Sequence, residues 1–388
     1  MTGVKTIYLD NAATSWPKPE AVYRAMDDFM RRTGASPGRS GHRLSIEAGR
    51  VAYDTREALA MLFGVRDPTR IVFTANATEA LNVVIRGMLH PGDHVITSGM
   101  EHNSVMRPLR AAEQAGVRVT VVPYQPAGTL QAGGVERAIG EDTRLIVLSH
   151  ASNVAGNLLP IAEAGLIARK RGVTFLVDAA QTAGCCAINV EAMNIDVLAF
   201  SGHKGLYGPQ GTGGLYIRQG MESRIRPLKH GGTGSRSESE YQPEFLPDKY
   251  ESGTPNTVGL AGLCAGVRFV LEQGGAIQRR ERELAAALLQ GLGGIPGVVV
   301  HGQNSAEGRI AVISFNISGL TPSEVSMGLE EHGILCRPGL HCSPAAHRTL
   351  GTFPQGTARL SPGYFTSDED IEAALQAVRE IAARGAGG

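Results

Sequence analysis

The stretch Ile195-Asp-Val-Leu-Ala-Phe200, followed at once by Ser201-Gly202-His203-Lys204-Gly205, decides how the chain is read. Its branched and aromatic residues form a strand. The small-residue turn that follows delivers a lysine to the strand's carboxyl edge, where open α/β sheets keep their ligands. Runs of the same kind occur at Ile71-Val-Phe-Thr74, His94-Val-Ile-Thr97, Val117-Arg-Val-Thr-Val-Val122, Leu145-Ile-Val-Leu148 and Val173-Thr-Phe-Leu-Val177, alternating with helical patterns. Gly213-Gly-Leu-Tyr-Ile217 adds one more. That rhythm predicts an α/β fold, a mostly parallel sheet with helices on both faces.

Residues 229–256, rich in glycine, serine, proline and charge without a period, read as a long irregular crossing between domains. Beyond it, helices near 257–273 and 278–292, strands near 297–300 and 309–316, a helix near 322–332 and a last helix from Asp368 to about Ala383 suggest a smaller α+β domain. No repeat occurs, and the one low-complexity tract is the tail Gly385-Ala-Gly-Gly388.

A length of 388 residues suggests two or three domains. Lysine plus arginine total 37 and aspartate plus glutamate total 37, so no broad basic face is implied and a nucleic-acid partner is not expected. Five cysteines, an odd set without paired CxxC spacing, argue against a disulfide framework and against a structural metal, and suit a reducing compartment. The N-terminus lacks an apolar signal core, and no uninterrupted apolar run of about 18 residues occurs that could span a bilayer. The expectation is a cytoplasmic protein with no membrane partner.

Lysine is usually a solvated surface residue, and the position of Lys204 is what singles it out. To attack an aldehyde it must lose a proton, which needs desolvation or nearby positive charge to pull its pKa down from ~10.4. Asp178 ends Phe175-Leu-Val-Asp178 and is costly in apolar surroundings unless paired. A pyridinium N–H is one such partner, and a helix cap ahead of Ala179-Ala-Gln181 is the plainer role. Gln181, one turn on, can donate to a phenolic oxygen. Thr74-Ala-Asn-Ala-Thr78-Glu79 follows a strand and opens a helix, where free N–H groups and the Thr78 hydroxyl cradle an anion. An aldehyde-binding lysine, a ring-nitrogen acid and a phosphate cradle together point to pyridoxal 5'-phosphate.

His102, in Glu101-His102-Asn103 after the next strand, can stack on a flat ring, although a lone histidine is more often a cap or a satisfied core residue. Cys342 lies among glycine and proline in Arg337-Pro-Gly-Leu-His-Cys342-Ser-Pro344, a loop on which a thiolate is accessible. Cys185, Cys186, Cys264 and Cys336 adjoin apolar segments and read as inert. Arg359 can grip a carboxylate through its fork, or serve as a surface ion-pair residue.

Taken in order, Tyr8-Leu-Asp-Asn-Ala-Ala-Thr14, Thr78-Glu-Ala-Leu-Asn82, Glu101-His102, Ser152-Asn-Val154, Val177-Asp-Ala-Ala-Gln181, Ser201-Gly-His-Lys204, Gly253-Thr-Pro-Asn256 and Arg337-Pro-Gly-Leu-His-Cys342 run almost end to end through the chain. Together they resemble the class V aminotransferase family of fold-type I pyridoxal phosphate enzymes, and within it the cysteine desulfurase and selenocysteine lyase group with a short, SUF-type-like cysteine loop. The resemblance implies a large cofactor-binding domain over 16–256, built on a seven-stranded sheet. It also implies a smaller α+β domain made of 1–15 and 257–388.

By position the resemblance makes Lys204 the residue that bonds the cofactor aldehyde, Asp178 the partner of the ring nitrogen, Gln181 the ligand of the ring oxygen and His102 the stacking, catalytic histidine. Ala77, Thr78, Ser201 and His203 match phosphate-binding positions. Thr254 matches one that reaches the phosphate of a neighbouring subunit, so a homodimer is expected. Asn153 and Arg359 match positions that hold the substrate carboxylate, and Cys342 the cysteine that takes up sulfur as a persulfide. Two departures stand out: many members carry threonine where Ala77 stands, and Ala345-Ala-His-Arg-Thr-Leu-Gly-Thr352 is unlike the usual continuation.

The expected reaction converts L-cysteine to L-alanine, with sulfur passed to an acceptor protein, as in supply of iron–sulfur cluster assembly. The alternatives are L-selenocysteine lyase activity, transamination of a small amino acid, or a non-catalytic sulfur-handling scaffold.

Overall fold

The computed structural model describes residues 5–38, 40–124 and 130–385, so the first four residues and the last three of the glycine-rich tail lie outside the described residues. Seven strands form the main sheet in the order Ile71–Thr74, Gly213–Ile217, Val197–Ser201, Thr174–Asp178, Thr143–Ser149, His94–Ser98 and Arg118–Val122. All run the same way except Gly213–Ile217, which is antiparallel to both neighbours. The predicted α/β class and mostly parallel seven-stranded sheet are therefore present. The reversed strand follows from chain length: only residues 202–212 separate it from Val197–Ser201, too few for the crossover of a dozen or more residues that a parallel return needs.

The central strands are apolar throughout because both faces are covered. Ile146, Leu148, Phe175, Val177, Leu198 and Phe200 belong to one buried cluster. Their alternating neighbours Leu145, Val147, Leu176, Val197 and Ala199 belong to another. Each such valine, leucine, isoleucine or phenylalanine side chain contributes about 1.5–3 kcal/mol relative to exposure. Polar residues therefore collect at the carboxyl ends, where Ser98, Ser149, Asp178 and Ser201 stand on adjacent or near-adjacent strands. At Gly213 a Cβ would lie 2.7 Å from the Cα of Asn76, so glycine is what lets the turn ahead of Ala77 close onto the sheet.

A second, antiparallel sheet has the order Arg337–Gly339, Thr357–Leu360, Ile313–Ile317, Val298–His301. It packs with helices Pro322–Glu331 and Asp368–Gly385 around its own apolar cluster, which includes Leu9, Phe315, Leu329 and Val378. The N-terminal Ile7–Tyr8 joins this region by pairing in parallel with Ile334–Leu335. Residues 224–256 contain no helix or strand, as the glycine- and proline-rich composition predicts.

Where two helices were expected, one helix runs from Thr257 to Gly293, 37 residues through Gly274-Gly275. A glycine pair costs about 2 kcal/mol in a helix interior. Here both halves are anchored, the first against helices Glu20–Arg32 and Arg43–Phe63 and the second against Asp368–Gly385 and Val298–His301. By length and composition this helix could cross a membrane, but half of the window concerned is buried inside the protein.

The edge strand is locked by an ion pair. Arg56, on helix Arg43–Phe63, meets both carboxylate oxygens of Glu251 at 2.8 and 2.5 Å and donates to the Ile71 carbonyl, while Glu251 accepts the Phe73 N–H at 2.6 Å. With Arg56 buried, losing the carboxylate strands a charge, so Glu251→Ala is expected to destabilise the fold by about 3 kcal/mol. Urea denaturation should show a lower midpoint with an unchanged slope.

Candidate active site

The carboxyl ends of the parallel strands open into a cavity of about 320 Å³ lined by Ala77, Thr78, His102, Asn153, Asp178, Gln181, Ser201, His203, Lys204 and Arg359. Ten of the twelve candidates from the sequence thus meet in one place. The other two do not line it: Thr254 is exposed on the irregular crossing, and Cys342 is exposed beside the cavity.

Lys204 follows strand Val197–Ser201, and its turn is fixed by backbone contacts. The Lys204 carbonyl accepts from Ser15 Oγ at 2.8 Å and from the Tyr207 N–H at 2.9 Å. Its Nζ has no hydrogen-bond partner among the described residues. Burial lowers its pKa to about 8; Asp178 pulls it up, and Arg359 and Arg337 push it down. Asp178 caps the turn that follows it, Oδ1 accepting the Ala180 N–H at 2.9 Å, while Oδ2 has no hydrogen-bond partner among the described residues. Burial raises the pKa of this carboxyl, against the Ala180 N–H and the Lys204 charge. The cap and a carboxylate open to a ligand are thus both present in one side chain.

His102 is the N-cap of helix Asn103–Gln114, Nδ1 accepting the Ser104 N–H at 3.0 Å. That bond leaves the ring proton of the neutral form on Nε2. Burial, then the Lys204 charge, hold its pKa near 4, so the ring is neutral at physiological pH. A hydroxyl chain links it to the first turn of helix Ala77–Met88: Thr78 Oγ1 lies 2.8 Å from Ser104 Oγ, itself 2.7 Å from His102 Nδ1.

The helix Ala77–Met88 is capped by Asn76, which accepts the Glu79 N–H at 2.9 Å. The Ala77 N–H donates to Ser201 Oγ at 3.3 Å, tying the cradle to the lysine strand. His203, whose pKa burial lowers to about 4, has a buried Nδ1 without a partner. Gln181 is oriented by its Nε2, which donates to the Ala12 carbonyl at 3.0 Å.

Arg359 is a buried structural node as well as a cavity wall. Nη2 meets Asp10 Oδ1 at 2.6 Å, Nη1 donates to the Asn153 carbonyl at 3.0 Å, and Nε is buried without a partner. The surface ion-pair alternative is therefore excluded: the side chain is 1% exposed. Asn153 in turn clamps the cysteine loop on both sides of Cys342, Nδ2 donating to the His341 carbonyl at 2.8 Å and Oδ1 accepting Ser343 Oγ at 2.6 Å. His341 and Cys342 both hold positive φ, 48° and 59°, and the Cys342 carbonyl accepts the Asn103 N–H at 2.9 Å.

Three contributors escaped the sequence reading. Arg337 lines the cavity and donates from Nη2 to Cys342 Sγ at 3.5 Å. Ser104 is the hub of the hydroxyl chain. Glu101 is fully buried and accepts from Ser98 Oγ at 2.6 Å and from the N–H and hydroxyl of Ser149 at 3.0 and 2.6 Å, cross-linking two strand ends; burial raises its pKa to about 7. Arg337 and Glu101 lie inside motifs quoted for other residues, so adjacency was the available signal; Ser104 gave none.

Asn153→Ala would leave the Ser343 hydroxyl and the His341 carbonyl without their partner, at about 1–3 kcal/mol for buried polar groups. Amide hydrogen exchange over 340–345 should accelerate at least ten-fold while the central strands keep their protection.

Residues 7–374 match the family described as Aminotransferase class-V. A probable cysteine desulfurase of Methanothermobacter thermautotrophicus is 35% identical over 385 residues, covering 98% of this chain and 95% of the relative. A cysteine desulfurase of Shigella flexneri is 32% identical, covering 98% and 94%. Among solved structures, the apo cysteine desulfurase of Thermococcus onnurineus NA1 superposes with a TM-score of 0.92 at 34% identity, covering 98% of this chain and 95% of that one. A cysteine desulfurase from Escherichia coli superposes at 0.88 and 30% identity, covering 98% and 95%. With the strand-edge lysine, the aspartate facing the same cavity and this end-to-end likeness in hand, the chain belongs to the class-V aminotransferase family.

Proposed function

We propose that the protein is a pyridoxal phosphate-dependent cysteine desulfurase that converts L-cysteine to L-alanine and holds the sulfur as a persulfide on Cys342. The observation that carries this reading is the unpartnered, half-buried Lys204 amine sharing a cavity with Asp178, with Cys342 beside it.

The cofactor fits the residues present. The unpartnered Lys204 Nζ would take its aldehyde, the open Asp178 Oδ2 its ring N–H, and the unpartnered His203 Nδ1, together with the N-terminal turn at Ala77 and Thr78, its phosphate. Ser201 would add its hydroxyl there, Gln181 would hold the ring oxygen, and neutral His102 would offer its flat face to the ring. When bound, pyridoxal phosphate supplies an electron sink that acidifies the substrate Cα–H.

The chain's own groups do the rest. Arg359, aided by the second Nδ2 hydrogen of Asn153, binds the substrate carboxylate and orients the Cα–H bond. Lys204 Nζ removes the Cα proton and later returns one. Cys342 Sγ, as thiolate, attacks the substrate sulfur: an S–S bond forms, the Cβ–S bond breaks, and its electron pair ends in a Cβ–H bond after protonation. Arg337 holds Sγ at the cavity rim. The exposure of Thr254 and its absence from the lining of its own cavity support a homodimer in which it reaches the neighbour's phosphate, and the exposure of Cys342 supports release of sulfur to an acceptor protein. Two main apolar cores support a large and a small domain, read as 16–256 and 1–15 with 257–388; Leu260, Leu263 and Val267 of the first half of helix Thr257–Gly293 pack in the larger core, and Leu284, Leu288 and Leu292 of its second half in the smaller. Five free cysteines suit a cytoplasmic location.

The deciding measurement is alanine and sulfide release from L-cysteine beside L-selenocysteine and beside pyruvate-dependent turnover, with and without dithiothreitol. Cys342→Ala should keep the cofactor and lose at least about 100-fold of alanine formation from L-cysteine, the scale of a lost reacting group; full alanine formation overturns its role. Borohydride reduction should fix the cofactor to wild-type Lys204 and to no residue in Lys204→Ala. Capture of added pyridoxal phosphate by cofactor-free protein should rise with pH as the ammonium loses its proton, with a midpoint near 8 rather than 10.5. Asp178→Asn removes the charge that holds that value up, and should move the midpoint lower.

A further inference from the structure

Behind the lysine loop lies a second cavity of about 300 Å³, lined among others by Cys185, Cys186, Glu281, His150 and Arg309. A small chamber of about 40 Å³, with room for about one water, lies between the two regions: it shares Lys204 and Gln181 with the first cavity and Cys185 and Glu281 with the second. The two cysteines are adjacent, half-buried and held rigidly, since both their N–H groups donate to the Thr182 carbonyl, at 3.1 and 2.9 Å. Cys185 Sγ donates to the Gln181 carbonyl at 3.2 Å. Gly184, at φ 96°, packs against the Gly205 carbonyl so closely that any Cβ would collide, so the thiol turn and the lysine turn interlock. Glu281 has no hydrogen-bond or ion-pair partner among the described residues.

We propose that Cys185 and Cys186 form a dithiol site for a monosubstituted trivalent arsenical, whose organic group occupies the second cavity. Two observations select this chemistry. The Cys185 thiol is held well above its ordinary pKa by the Cys186 side chain, burial and the Glu281 carboxyl, so Cys185 is disfavoured as a thiolate and a cation needing two anionic sulfurs is poorly served. No group of three histidine, cysteine or acidic side chains among the described residues is arranged to hold a metal ion. An arsenical needs two sulfurs only, and takes them as neutral thiols.

In the reaction both S–H bonds and both As–OH bonds break, two As–S bonds form, and two waters leave, each built from one arsenic hydroxyl and one thiol proton. Arsenic stays trivalent, no oxidant is needed, and the product is uncharged, which suits a buried site. Glu281, whose pKa burial raises to about 8, is protonated at neutral pH and can hand a proton to the departing hydroxide and regain one from a thiol. The site stands independently of the proposed desulfurase activity.

The test is intact-mass titration of the holoenzyme with phenylarsonous acid. One adduct per chain is expected, removed by 2,3-dimercaptopropanol but not by excess 2-mercaptoethanol. It should persist in Cys342→Ala and disappear in both Cys185→Ala and Cys186→Ala, with the visible cofactor band confirming that those variants fold. Glu281→Gln should form the same adduct about ten-fold more slowly. An adduct lost in Cys342→Ala, one that survives in either Cys185→Ala or Cys186→Ala, or none in the wild type overturns the site; an unchanged rate in Glu281→Gln overturns the part of the carboxyl.

Discussion

The buried guanidinium of Arg359 is the interaction on which the rest of the site depends. It sits on the second sheet, reaches Asp10 of the N-terminal segment and the Asn153 carbonyl beyond the main sheet, and so joins three pieces of chain far apart in sequence. Burying such a charge is costly unless it is paired and hydrogen-bonded. Asp10 supplies the charge and Asn153 the acceptor, which leaves Nε unsatisfied and facing no protein partner. Because Asn153 also clamps the residues on both sides of Cys342, the position of the sulfur is set by the same node.

Around this node the cavity balances like charges in a desolvated space. Lys204 is pulled up by Asp178 and Asp10 and pushed down by Arg359 and Arg337, with burial the largest influence, so its amine titrates close to physiological pH. Burial and the Lys204 charge keep both His102 and His203 neutral, with Arg337 and Arg359 adding to the effect on His102 and Lys18 to that on His203. A neutral imidazole can lie against a flat ring without adding charge, and an open carboxylate at Asp178 is then the natural anion for a cationic ring nitrogen. Polarity is confined to the strand ends because the strand interiors are covered on both faces.

Much of this was legible in the chain because local rules and tertiary structure agree in the main sheet. Apolar runs gave the strands, and the residues just after them gave Lys204, Asp178, Thr78 and His102, since a carboxyl edge is a place that sequence order marks. What stayed hidden depends on contacts between distant segments. Arg359 looked as fit for a surface pair as for a buried one, and Arg337 and Ser104 acquire their places only when the second sheet and helix Asn103–Gln114 are set against the strand ends. Two helices near 257–273 and 278–292 are expected where the single helix Thr257–Gly293 forms, and packing on both halves overrides the local cost of Gly274-Gly275 between them. Thr254, by contrast, occupies a position that one chain alone does not connect to its cavity.

That continuous helix has a mechanical consequence. At about 1.5 Å per residue it is a rod of about 55 Å, with one end seated against the main sheet's helices and the other in the second sheet's core. Any rotation between those two cores must be borne by the rod as bending, and bending is cheapest at the glycine pair, where a Cβ would meet nothing at Gly274 and only the end of the Arg279 side chain at Gly275. Glu281 lies only six residues past Gly275, so a flexure there carries the wall of the second cavity with it. The rod therefore makes the volume behind the lysine loop a function of how the two cores are inclined.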